Sequence, residues 1–281
     1  MGQFSLSKTH NVICTNVSCN LKKNRVKKCI WCFETEEKVE FKKIAHTIPQ
    51  TLGGKKTCLN VCDKCNLYFG SYNNKLPSIE TVIKETFNIS RARFLQTDNE
   101  IGKNKALPKF SSIYFNVDFI KNKLALKAGY KYNAHFQEKI SRQLKKGLYK
   151  IFLEETERQN QDGHNEKYDF IRKFCRYDLG DFPVFYFERN HGIILMTKDW
   201  ARTPELFLED DFKFKYLINE PCFFEFELLG HVFGIAISRN WQVAFDNYIK
   251  KTKEAKKDQF KSVKVVKNFN DIDFTLSILN G

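Results

Sequence analysis

Cys29-Ile30-Trp31-Cys32, then Ala45-His46-Thr47-Ile48-Pro49, then Gly53-Gly54, then Leu59-Asn60-Val61-Cys62-Asp63-Lys64-Cys65-Asn66 is the stretch that decides how this chain is read. Cys29 and Cys32 form one C-x-x-C knuckle and Cys62 and Cys65 another, with 29 residues between them. Four soft thiolates in two such pairs are the donor set of a closed tetrahedral Zn²⁺ site, and scaffolding is the usual role of that ion. A structural zinc ribbon has no need of His46, Asn60 or Asn66. Their presence between and beside the knuckles points to metal-assisted chemistry on phosphate.

In this order the motifs resemble the HNH endonucleases, and more narrowly the zinc-knuckled branch that includes phage junction-resolving enzymes. The resemblance covers about residues 26–72. It implies a ββα-metal unit: a first strand over 39–46, a loop over 47–57 turned by Gly53-Gly54, a short second strand over 58–61, and a helix that opens at the second knuckle and ends near Gly70. It also implies roles. His46 is the general base for the attacking water, since an imidazole titrates near neutral pH. Asn66 gives its side-chain oxygen to a catalytic Mg²⁺ or Mn²⁺, and Asn60 holds the His46 loop by hydrogen bonds. Many members place Asp or Glu immediately before the histidine as a second metal ligand, and here that position is Ala45. Glu40 lies six residues earlier, about 20 Å away on an extended chain. Asp63, three residues before Asn66 on the expected helix, is the other candidate carboxylate.

The rest of the chain supplies charge and bulk. Its 281 residues carry a net charge of +14, which favours a polyanionic partner, nucleic acid and most readily double-stranded DNA. Residues 8–28 hold six Lys or Arg and no acid, just before the first knuckle. Lys22, Lys23, Arg25, Lys27 and Lys28, with Lys55 and Lys56 in the loop, are the expected phosphate contacts. A second basic block spans 250–267. Cys14 and Cys19, with His10 and Cys58, make a weaker case for a second metal site. Cys175 and Cys222 read as core thiols, and His135, His164, His191 and His231 as structural histidines. Residues 1–20 lack the apolar core of a signal segment and no run reaches the length of a membrane span. A reducing cytoplasm is the expected setting for nine cysteines.

The fold class expected is α+β: an N-terminal ββα-metal finger over 1–75 with its basic arm, a helix and linker over 76–108, and a larger mixed target-binding or sensing domain over 109–281. Strands are expected within 110–127 and at 183–188, 192–197, 222–229 and 232–238. Helices are expected at 133–159, 166–177 and 241–257. The apolar stripe Phe136, Ile140, Leu144, Leu148, Ile151 and Phe152 marks the 133–159 segment as amphipathic, with Lys139, Arg142, Lys145, Lys146 and Lys150 on other positions. Those cations read as a solvated face or the lining of a nucleic-acid channel. By resemblance the function is divalent-metal-dependent cleavage of DNA, in restriction or defence against phage. A non-catalytic zinc finger and an RNA-cleaving enzyme of the same fold stay open.

Overall fold

A computed structural model describes residues 26–72, 76–96, 110–118, 121, 123–129, 133–189, 198–206, 208, 222–254 and 260–274. The expected strand at 192–197, His10, Cys14, Cys19, His191, and Lys22, Lys23 and Arg25 of the basic arm lie outside these residues. The architecture is mixed α and β: an N-terminal unit built around the two C-x-x-C knuckles, then a larger part.

Strands β1 (Ala45–His46) and β2 (Thr57–Cys58) pair antiparallel, and helix α1 (Asp63–Gly70) follows the second knuckle. The first strand is much shorter than the 39–46 expected. The backbone before it is engaged elsewhere: Val39 N–H donates to Thr35 O at 3.0 Å, and Glu40 O accepts from Asp63 N–H at 2.8 Å. A chain that ties itself to the start of α1 has no edge to offer β2. The second strand sits one residue earlier than expected, and the loop between them holds a short 3₁₀ turn at Gln50–Leu52.

Helix α2 (Ile79–Gln96) is 18 residues long, well beyond the short helix expected. Ser78 starts it, its hydroxyl accepting from Thr81 N–H at 3.0 Å, as a serine N-cap does. A hairpin of β3 (Phe115–Asp118) and β4 (Lys123–Leu126) leads to α3 (Ala134–Asn160). Asn133 caps α3 by accepting from Phe136 N–H at 2.9 Å, and Gln161 closes it at φ 55°. From Leu144 to Glu157 α3 is buried on every side, Lys145, Lys146 and Lys150 included, so they form neither a solvated face nor a channel lining. Lys146 reaches Asp178 at 2.5 Å and Lys145 reaches Asp181 at 2.7 Å.

After α4 (Asp169–Tyr177) come β5 (Val184–Arg189), the short α5 (Lys198–Arg202), β6 (Phe223–Leu228), β7 (His231–Ala236), α6 (Trp241–Glu254) and β8 (Phe260–Val265). The last four strands form one antiparallel sheet in the order β6-β7-β5-β8. Strand β8 was hidden in the second basic block. Phe260 and Val263 pack inward three residues apart because the register shifts at Lys261, so neither the charge nor the spacing shows the strand's period of two. Both faces of the sheet are covered. Val184 and Tyr186 join the main core, whereas Phe185 and Phe187 pack under α6 with Phe223, Ala244 and Tyr248. The main core is continuous from Cys29 and Trp31 in the knuckle through α2 and α3 to Val184, Phe233 and Phe269.

Candidate functional site

The knuckles bring four sulfurs together. Sγ atoms of Cys29, Cys32, Cys62 and Cys65 lie within 4.8 Å of one another, and Cys32 to Cys62 is 3.7 Å. A tetrahedron with Zn–S of about 2.3 Å has an edge of about 3.8 Å, so the spacing fits zinc. It does not fit a disulfide, whose sulfurs stand about 2.05 Å apart, and all four are free thiols. The first proton to leave belongs to Cys29. The Cys65 thiol and the backbone N–H groups around the knuckle stabilise its thiolate and lower its pKa to about 5 against burial. Burial then pushes Cys32 up to about 11, and the hydrogen bond to Cys29 together with burial pushes Cys65 up as well. A divalent ion relieves that crowding by replacing the remaining protons.

Helix α4 fastens the zinc centre to the larger part. Arg176 Nε donates to Cys65 Sγ at 3.4 Å while its guanidinium lies 4.4 Å from the Tyr68 ring. Arg172 Nε donates to Ile30 O at 2.7 Å and stacks 4.4 Å over Phe33. Donors to ligand thiolates are part of a metal site as much as the ligands are.

His46 sits at the end of β1, half-buried, with no hydrogen bond on its ring among the described residues. The loop that follows is held from both sides. Thr47 N–H donates to Lys56 O at 3.0 Å and Thr47 Oγ1 to Glu155 Oε1 at 2.5 Å. Gly53, at φ 89°, makes the reversal that sequence assigned to the Gly pair, in a region an L side chain enters only with strain. Asn66 lies in the first turn of α1, and its Nδ2 donates to Ile44 O at 3.1 Å, two residues before His46. That bond turns the amide so that Oδ1 is the atom left for a cation.

Asn60 does not hold the His46 loop; its Nδ2 donates to Glu157 Oε1 at 2.5 Å, and Thr47 does the holding instead. Ala45 is 2% exposed and faces the core opposite Cys58, not the site. Asp63 is already occupied in part, its Oδ1 accepting from Lys43 N–H at 2.8 Å. Glu40, set aside for distance, is drawn to the start of α1 by its carbonyl bond to Asp63, although its carboxylate pairs with Lys42 at 2.7 Å. Among the described residues no cluster of three or more His, Cys, Asp or Glu exists apart from the four cysteines, so a catalytic cation would keep mostly water ligands, as Mg²⁺ commonly does.

Of the expected phosphate contacts, Lys28 and Lys55 are exposed, as are Lys42, Lys43 and Lys64 elsewhere in the finger. Lys27 lies over the Phe41 ring at 4.8 Å, and Lys56 pairs with Glu205 at 3.4 Å. His231 is a satisfied structural histidine, bonded to Ser90 and Tyr186. His164 bonds Lys28 O at 3.1 Å and stands 3.6 Å from Glu157.

Sequence reasoning missed the row that receives all this. Glu154 accepts from Trp31 Nε1 at 3.1 Å, Glu155 from Thr47 and Glu157 from Asn60, while Lys150 Nζ donates to His46 O at 3.0 Å. The available signal was the acidic run Glu154-Glu155-Thr156-Glu157 in a strongly basic chain.

This geometry is a ββα unit with a four-cysteine site that fits zinc and with His46 and Asn66 half-buried in it. Residues 29–75 match the family model described as HNH endonuclease. No curated protein and no solved structure matches the chain.

Proposed function

We propose that the protein is a divalent-metal-dependent endonuclease that hydrolyses phosphodiester bonds in double-stranded DNA. The observation that carries this reading is the half-buried imidazole of His46, which has no hydrogen bond among the described residues, together with the Asn66 amide whose Nδ2 is spent on Ile44 O two residues before it. The imidazole takes the proton of the attacking water. Asn66 Oδ1, with Asp63 or Glu40 through water, would hold a Mg²⁺ or Mn²⁺ ion that neutralises charge on the phosphate and leaving oxygen. The exposed lysines of the finger contribute affinity without sequence information. Among the described residues no helix is long and apolar enough to cross a membrane.

The test is cleavage of plasmid DNA and of RNA with Mg²⁺, Mn²⁺ or EDTA. His46→Ala should lose about 10²–10⁴ in rate with DNA affinity nearly intact. Asn66→Ala should be inactive at low Mg²⁺ and partly recover as the ion is raised. Wild-type cleavage by both variants would place the active site elsewhere. Cleavage of RNA alone would change the substrate, and no cleavage with any ion would leave a binding finger.

A further inference from the structure

Deep beneath His46 lies a buried ammonium that the reaction does not use. Lys150 is 2% exposed at its side chain, and its Nζ has three acceptors: His46 O at 3.0 Å, Glu154 Oε2 at 2.9 Å and Glu80 Oε1 at 3.4 Å. A lysine has three N–H donors and no acceptor, so the group is saturated. Glu154, fully buried, spends its other oxygen on Trp31 Nε1 in the first knuckle.

The carbonyl that Lys150 takes is free to be taken. Thr47 N–H bonds Lys56 O directly across the β1–β2 ladder. Hydrogen-bonded and non-bonded pairs alternate in an antiparallel ladder, so His46 opposite Thr57 is a non-bonded pair and its C=O points away from β2. Without Lys150 the His46 carbonyl itself loses its partner on α3, although Thr47 Oγ1 still ties the next residue to Glu155 of the same helix.

Stability does not account for the arrangement. Burying an ammonium and a carboxylate costs several kcal/mol per ion, and well-packed apolar side chains of like volume are often as stable or more so. What the ion pair adds is direction.

We propose that Lys150 is a positioning residue for His46, locked by Glu154, so that α3 sets the orientation of the proposed general base and couples it to the first zinc knuckle. The proposal rests on the nuclease reading for its kinetic consequence but not for the grip itself. Since α3 also meets the sheet, through Tyr149 OH at 3.3 Å from Ala236 O of β7, a change seated there reaches His46 through a single helix.

The experiment uses the full chain, zinc-loaded, with supercoiled plasmid and Mg²⁺. Lys150→Met strands the Glu154 carboxylate, so the decisive variant is Lys150→Met with Glu154→Leu, which removes both charges. It should keep its zinc and melt at or above the wild-type temperature. Its KM should stay within about twofold while kcat falls about 10- to 100-fold, the scale on which a small misplacement of a reacting group acts. The His46 Cε1–H resonance, assigned by its loss in His46→Ala, should shift or broaden. A folded double variant with wild-type kcat and an unchanged His46 resonance overturns the proposal. So does one that unfolds or loses zinc, since Lys150 would then be merely structural. If the wild type cuts nothing, the nuclease reading fails, and the His46 resonance alone decides: altered in the double variant, the grip stands; identical, it falls.

Discussion

At the scale of single residues the four cysteines carry the finger. Two-residue strands and an eight-residue helix bury too little apolar surface to hold together alone, so the ion's binding free energy supplies folding free energy. Cys62→Ala should leave well under one zinc per chain by metal analysis, and should release Trp31, 1% exposed and 4.7 Å from Phe69, to a red-shifted fluorescence. Ala45 gives a second test. An aspartate there would enter the core beside Cys58, whose thiol burial and Glu154 already push up, so the new charge has an apolar and acidic surround. Ala45→Asp should therefore lower the melting temperature, by the equivalent of about 2–4 kcal/mol, and should not tighten divalent-ion binding. Tighter Mn²⁺ binding at unchanged stability would mean that the side chain at 45 turns to the site after all.

At the scale of elements the decisive contact is α2 against α3. Gly147 is where they approach: a Cβ there would stand 2.4 Å from Ile83 Cγ1 and 2.5 Å from its Cδ1. Alanine in place of a mid-helix glycine ordinarily gains about 1 kcal/mol. Overpacking a buried contact costs about 1–3 kcal/mol, and Ile83 is 1% exposed with no room to withdraw. Gly147→Ala should thus be destabilising by about 1–2 kcal/mol in denaturant melts, and Ile83→Ala should offset part of that loss in the double variant. Additive losses would show that the helices part without strain. Helix α3 itself was legible from the spacing of Ile140, Leu144 and Leu148. Its burial on all sides was not, because a stripe reports the face that must be covered and is silent on what covers the others.

For the whole molecule, the junction between finger and larger part is polar and buried, so pH acts on it. Burial drives the Glu154 carboxyl from its ordinary 4.5 up to about 7, with Lys150 offsetting only part. A carboxyl whose folded pKa is raised contributes stability that is present below about 4.5 and is lost as pH rises through about 7. Glu157, Asp162 and Asp178, held below their ordinary values by hydrogen bonds that outweigh burial, act the opposite way and only in acid. Between pH 5 and 7.5 the melting temperature should therefore fall more steeply for wild type than for Glu154→Gln. Equal slopes would remove Glu154 from the account. This junction also divides what sequence could tell from what it could not. The four-cysteine cluster and the Gly53 turn were readable because they depend on residue type at short spacing, and local spacing survives folding. The partners of Asn60, the burial of Ala45, the strand concealed among lysines at 260–265 and the hold of Lys150 on His46 were decided only in three dimensions. Asn60 and Glu157, like His46 and Lys150, are about 100 positions apart, and whether a charge is solvated or buried depends on what the rest of the chain lays over it.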